Sequence, residues 1–149
     1  MKLKQITFSE IKYIWLNYLW LDRKSPIKPT NGLLLGGGWI KDIESNTPTF
    51  WGIFDNDKLI GVNSGHKAEN NMYRSRGIYV FPEYRGQGIA QKLLKATEEQ
   101  AKKENCSKIW SMPRESSLKT YLKFGFKLYS DNQAVGMEFG PNYYVIKDI

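Results

Sequence analysis

The chain has 149 residues, enough for one domain with a proper core, and its 41% apolar and 25% charged residues are ordinary for a soluble globular protein. No apolar run approaches the roughly 20 residues of a membrane helix. The start, MKLKQITFSEIK, lacks the pattern of a signal peptide. The single cysteine, Cys106, allows neither an internal disulfide nor a cysteine-based zinc site, so the expectation is a cytoplasmic protein with no membrane association and no metal.

The formal charge of +7 and the pI near 9.4 would attract an anion: nucleic acid, an acidic membrane or a phosphorylated cofactor. The lysines and arginines are spread along the chain without a block, so nucleic acid stays open but is not favoured.

In chain order, Lys2 to Phe8 alternates and reads as a strand. Ser9 reads as the N-cap of a helix whose stripe is Ile11, Ile14, Trp15, Tyr18 and Leu19, ending before Pro26 and Pro29. Residues 25 to 38 are loop-rich. The run Gly36-Gly37-Gly38 is not followed by Lys-Ser/Thr, so it is no triphosphate loop but a mobile connection, one that could border a substrate cleft. Thr49 to Phe54 and Leu59 to Ser64 form an antiparallel hairpin around Asp55-Asn56-Asp57.

Tyr73 to Phe81 is the next strand, ended by Pro82. A glycine loop and a helix to about Glu104 follow, then a short strand, Lys108 to Met112, stopped by Pro113. Strand, helix and strand make a right-handed βαβ unit with parallel strands. Ser116 or Ser117 starts a shorter helix that Gly125 ends. Phe126 to Tyr129 and Tyr143 to Ile146 are late antiparallel strands. The fold class is α+β: a mixed, mostly antiparallel sheet with one parallel pair and helices on its faces. Trp39, Trp51 and Trp110 read as core residues or cleft walls, with core the better reading.

The loop Arg85-Gly86-Gln87-Gly88-Ile89-Ala90 opens the long helix. Helix N-termini carry unpaired N–H groups and partial positive charge, glycines admit a phosphate close to the backbone, and Arg85 adds a fixed charge. The stretch therefore reads as a pyrophosphate cradle, though a plain turn with an exposed arginine has the same composition. G-x-G-x-x-G is absent, so it is not a dinucleotide fingerprint.

With Arg85, Gly88 and Ala90 in the pattern Arg/Gln-x-x-Gly-x-Gly/Ala, and Tyr121, Gly125 and Phe126 in the pattern Tyr-x-x-x-Gly-Phe, the chain resembles the GNAT superfamily of acetyl-CoA-dependent N-acetyltransferases. The resemblance covers residues 49–129 well and the first 48 residues in element order alone. It implies a single-domain GNAT-like fold whose parallel strands splay apart, with acetyl-CoA as cosubstrate. Backbone groups of Ile78, Tyr79 and Val80 would hold the pantetheine arm, and the amides of Arg85, Gly86, Gln87, Gly88, Ile89 and Ala90 the pyrophosphate.

The implied reaction is direct attack of a neutral amine on the thioester. A backbone N–H near Tyr79 or Val80 would stabilise the oxyanion, an effect worth roughly 3–4 kcal/mol. Tyr121 would protonate the departing thiolate, which needs only modest help because a thiol pKa near 8.5 lies below about 10 for tyrosine.

The sequence departs from many relatives in three places. The strand Tyr73-Arg74-Ser75-Arg76-Gly77-Ile78 carries no carboxylate to serve as base, Arg114 stands where an asparagine is frequent, and Ser117 where an alanine is. Arg74 and Arg76 would bind an acidic part of the substrate or face solvent. The base would be His66 or Glu69, in the loop after the hairpin, or a water chain. The acceptor is expected to be a small-molecule or peptide amine. A homodimer stays open, sheet-edge dimers being common in the family. A non-catalytic acyl-CoA-binding module and a basic nucleic-acid-binding protein are the alternatives.

Overall fold

The computed structural model describes residues 1–134 and 137–149, and the side chains of all of these except 130–134. The segment 130–142 thus lies partly outside the described residues.

The first helix begins earlier than Ser9. After β1 (Lys2–Gln5), Thr7 takes extended backbone angles, its side chain accepts from Glu10 N, and Glu10 reaches back to Thr7 N at 3.0 Å. This reciprocal box satisfies two orphan donors, which Ser9, without a glutamate three residues on, could not do. Helix α1 (Phe8–Ile14) runs into a π-helical turn, Trp15–Leu19, closed by Trp20 N on Trp15 O at 2.7 Å. Such wide turns shift the phase of a helix and occur often at functional sites. Here the turn keeps Trp15 and Leu19 buried and brings Leu19 and Trp20 to the rim of a cavity.

Strands β2 (Thr49–Asp55) and β3 (Lys58–Lys67) form the expected hairpin, and Asn56 takes the left-handed turn position with φ 54°. β3 is longer than its sequence indicated, so His66 is a strand residue and fully buried rather than part of a loop. Then follow β4 (Met72–Val80), α2 (Ile89–Lys103), β5 (Lys108–Ser111), α3 (Glu115–Phe124), β6 (Lys127–Ala134) and β7 (Asn142–Asp148). The backbone cap of α3 is Arg114, with no side-chain hydrogen bond, so Ser116 and Ser117 lie inside its first turn.

The seven strands form one sheet in the order β1-β2-β3-β4-β5-β7-β6, antiparallel except for β4 and β5. Each face has its own core. Ile60, Leu93, Leu94 and Ile109 pack the sheet against α2 and α3, while Ile11, Trp15, Phe50 and Val62 pack it against α1. Each such aliphatic side chain contributes about 1.5–3 kcal/mol on burial, which anchors helices to both faces.

Two irregularities in β4 make room for a site. The parallel ladder holds for three pairs, Met72 with Lys108, Tyr73 with Ile109 and Arg74 with Trp110, and then stops. Ser111 Oγ donates to Ser75 O at 2.7 Å across the point of divergence, and Pro113, with no N–H, carries the chain away. On the other edge, Val62 pairs with Tyr79 but Ser64 with Arg76, so β4 holds one extra residue there. Gly77 sits in this bulge with φ 77°, and a Cβ on it would lie 2.4 Å from Trp15 Nε1. Only glycine satisfies both demands.

Candidate active site

A cavity of about 540 Å³ opens where β4 and β5 part. Strand alternation gives it two chemically different walls. Ser75 and Ile78 face α2 and α3, whereas Arg74 and Arg76 face the α1 side.

On the first wall stands Tyr121. Helix α3 holds it, Phe126 packs edge-on against its ring at 5.1 Å, and Gly125 ends the helix in the left-handed conformation with φ 116°. Its hydroxyl is 2.9 Å from Ser75 Oγ, which also accepts from Asn63 Nδ2 at 2.9 Å. Asn63 Nδ2 reaches Thr97 Oγ1 on α2 as well, so one buried hydrogen-bonded chain ties three elements to the tyrosine. Burial raises the Tyr121 pKa; the Ser111 and Ser75 hydroxyls and the Arg74 charge oppose this only in part. The phenol therefore carries its proton at neutral pH and has hydroxyl partners through which to move it.

The strand carrying Ile78, Tyr79 and Val80 presents an open edge beyond Arg74. Phe81 N bonds Ile60 O, and Tyr79 pairs with Val62, so alternation turns the Val80 peptide groups away from β3 and toward the gap. Of the two expected oxyanion donors, Val80 N–H faces the gap and Tyr79 N–H faces β3. The Tyr79 side chain lies on the α1 side, 6.0 Å from Tyr18 and 5.4 Å from Phe81.

The glycine loop follows directly. Gly86 and Gly88 both have φ 80°, and a Cβ on either would meet no atom within 4 Å. The loop is thus glycine for its backbone angles, and its concave side is open. Gly88 is the N-cap of α2 with no side-chain cap, and the first intrahelical bond is Lys92 N to Gly88 O at 3.2 Å. The preceding amides, Ile89 and Ala90 among them, point out of the helix end, where an anion's oxygens fit. The Ile89 side chain is buried over Gly61 in the sheet, so Ile89, more than Ala90, seats the helix. Arg85 stacks over Tyr79 at 5.4 Å and donates Nε to Val80 O at 2.8 Å, which links the loop to the open strand edge.

The second wall overturns the solvent reading of the two arginines. Arg74 and Arg76 are 6% and 3% exposed. Arg74 lies over Trp110 at 5.1 Å; Arg76 lies over Trp15 and Trp20 and donates Nη1 to Lys28 O at 2.8 Å. Burial draws the Arg74 pKa down to about 10, with Tyr121 and Tyr144 opposing. Burial first, then the Arg74 and Arg23 charges, draw down that of Arg76. Both guanidinium groups keep their charge at neutral pH.

Neither His66 nor Glu69 lines the cavity. The His66 ring sits between Lys67 O at 2.9 Å and Asn31 N at 3.4 Å, and burial, then the Arg74 charge, lowers its pKa to about 3. Glu69 Oε1 accepts from Leu35 N at 3.3 Å. Of the tryptophans, Trp110 is core, Trp51 packs against the core half-buried, and Trp39 is exposed at the cavity rim. Leu33 bridges Trp39 and both line the cavity, but Gly36, Gly37 and Gly38, which lie between them in the chain, do not. Sequence reading passed over Ser75, Ser111, Arg23 and the π-helical turn. The only trace of Ser75 was a small polar residue between two arginines.

The sequence profile of the Acetyltransferase (GNAT) family matches residues 13–126. An acetyltransferase of Agrobacterium fabrum is 36% identical over 73 residues, 48% of this chain and 53% of that protein, so the chain spans about half the length of this curated relative. The PaiA N-acetyltransferase of Thermoplasma acidophilum, crystallised with coenzyme A, is 24% identical with a TM-score of 0.58 over 68% of this chain and 61% of that one. A GNAT-family acetyltransferase of Staphylococcus aureus superposes over 99% of this chain and 98% of its own with a TM-score of 0.67 at 16% identity. The chain belongs to the GNAT acetyltransferase family, and its mixed sheet with one parted parallel pair is the fold of these neighbours.

Proposed function

We propose that this chain transfers an acetyl group from acetyl-CoA to a primary amine, by direct attack of the neutral amine. The observation that carries the reading is the Tyr121 hydroxyl, buried 2.9 Å from Ser75 Oγ in a cavity that also exposes Ile78 on the open edge of β4. A proton donor on α3, the parted edge of β4 and the glycine loop that follows β4 thus lie in succession.

Acetyl-CoA supplies the activated acyl group. The outward amides of Gly86 to Ala90 and the Arg85 guanidinium hold the pyrophosphate, and the backbone of Ile78 and Val80 holds the pantetheine arm. Val80 N–H points to where the acyl oxygen gains charge. Tyr121 keeps a proton ready for the leaving sulfur, with Ser75 and Ser111 orienting it. Among the described residues the cavity carboxylates are already engaged, Glu44 with Lys28 at 3.1 Å and Glu138 with Lys24 N at 2.6 Å, and on this reading the amine gives its proton to water. An agent that supports this assignment is the thiol itself: steady-state release of CoA should require both acetyl-CoA and an amine, and should yield the acetylated amine by mass. Acetyl-CoA binding without any amine-dependent thiol release would leave a binding module instead.

A further inference from the structure

The Arg74 guanidinium is an unfinished site. Its Nε and Nη1 are buried and have no hydrogen-bond partner among the described residues. Glu69 is near enough to act on its charge, but makes no ion pair with it; the acid's Oε1 is on Leu35 N. Arg76 gives one N–H to Lys28 O, and Arg114, on the far wall, gives Nη2 to Leu19 O at 3.3 Å and stacks on Phe139. Arg23 bonds Ser25 and Pro26. Among the described residues the cavity holds these four arginines and Lys28 against two carboxylates, and Lys28 and Glu44 neutralise each other. Glu138 accepts from the backbone of Lys24 and Ser25 and from Ser25 Oγ at 2.7 Å, and its charge acts on Arg23, which leaves Arg74, Arg76 and Arg114 without a carboxylate of their own among the described residues.

Buried cationic donors without acceptors are costly, and a guanidinium fork matches planar or tetrahedral oxyanions. These arginines are not needed for the pyrophosphate. Arg76 lies four residues, about 13 Å of strand, before Val80, and the Pro82–Tyr84 turn still separates Val80 from the glycine loop at Arg85.

We propose that the acceptor is a small amine that also carries a carboxylate or a phosphate, and that Arg74, with Arg76 beside it, binds that anion while the amine faces the gap near Tyr121. The proposal rests on the acetyl-transfer reading above and narrows its substrate class. A cavity of about 540 Å³ fits a small molecule of this kind.

The test is a panel of acceptors at saturating acetyl-CoA, read as CoA release, on the wild-type chain, Arg74→Gln and Arg74→Lys, with acetyl-CoA affinity measured by calorimetry on each. The probes are glutamate and glycine (carboxylates), phosphoethanolamine (phosphate), and ethylamine, putrescine and benzylamine (no anion). The best anionic amine should exceed its best neutral counterpart in kcat/KM by at least about 100-fold in the wild type. That ratio should fall below about 10 in Arg74→Gln and recover only partly in Arg74→Lys, with acetyl-CoA affinity unchanged. A carboxylate preference and a phosphate preference each support the proposal and tell the two apart. Equal or better turnover of the neutral amines, or a ratio unmoved in Arg74→Gln, overturns the proposal while leaving acetyl transfer intact. Should no amine turn over, calorimetry of glutamate and phosphoethanolamine into the CoA complex decides: no Arg74-dependent binding overturns it. Loss of acetyl-CoA binding in the wild type would instead strike the reading beneath.

Discussion

The Tyr121 hydroxyl stands 2.9 Å from Ser75 Oγ, across the gap that opens when β4 and β5 part. Helix α3 brings the phenol and β4 brings the serine, so in the proposed reaction the pair would couple proton supply to the strand edge on which the acyl donor would lie. Tyr121→Phe keeps the ring against Phe126 and removes only the oxygen. We expect kcat to fall about 10–100-fold, at the low end for general-acid catalysis because a thiolate leaves readily, with acetyl-CoA affinity unchanged. Steady-state kinetics beside calorimetry checks this; an unchanged kcat removes Tyr121 from the reaction.

The cradle is tested by adding a single carbon. Gly88 has φ 80° with open space around a would-be Cβ, so Gly88→Ala meets no protein atom but costs about 1–2 kcal/mol of backbone strain and puts a methyl group where phosphate oxygens would approach. Acetyl-CoA affinity should drop at least tenfold, about 1.4 kcal/mol, while the chain stays folded. Arg85→Glu should act in the same direction, and more strongly at low salt. Calorimetry at two ionic strengths separates the two effects.

Trp15 Nε1 donates to Gly77 O at 2.8 Å, which pins α1 to the bulge that shapes β4. Trp15→Phe leaves that carbonyl without its partner and opens a small void, for a loss of about 2 kcal/mol. Gly77→Ala forces a side chain into the left-handed region and into the indole, for a loss of at least about 3 kcal/mol. Urea titration of each variant measures these losses, and a near-neutral Gly77→Ala would contradict the bulge geometry.

His66 gives the fold a pH dependence of known sign. Its folded pKa is lowered from 6.5 to about 3, by burial first and then by the Arg74 charge, while the imidazole is held by Lys67 O and Asn31 N. The unfolded chain therefore binds the extra proton between these values. The stabilising contribution is complete above about pH 6.5 and is lost as pH falls toward 3, at up to about 1.4 kcal/mol per pH unit. Urea midpoints at pH 7, 6 and 5 should fall accordingly, and the His66→Gln chain should show a flatter profile over that range.

What could be read from the sequence was local. The loop from Arg85 to Ala90 and the run Tyr121 to Gly125 declare themselves because a positive φ admits little but glycine, at Gly86, Gly88 and Gly125 alike. The residues of the strand at 73–81 could be read, but not what covers each of its faces. Arg74 and Arg76 became buried because Trp110, Trp15 and Trp20, distant in sequence, close over them. His66 lay beyond the expected hairpin end because its pairing partner, Arg74, belongs to the next strand. Thr7 was hidden by a serine two residues on, and the π-helical turn has no sequence signal at all.

In the proposed reaction this strand, loop and tyrosine serve an acyl-CoA. Thermal melting of the chain at fixed salt with acetyl-CoA, CoA, ATP, NAD and a short DNA duplex tests it most directly. At about 100 times the dissociation constant, acetyl-CoA and CoA should each add roughly 2.7 kcal/mol of stability, and the other ligands far less. A shift with DNA and none with acetyl-CoA or CoA would mean that the glycine loop holds a different phosphate and that the chain does not work on acyl-CoA.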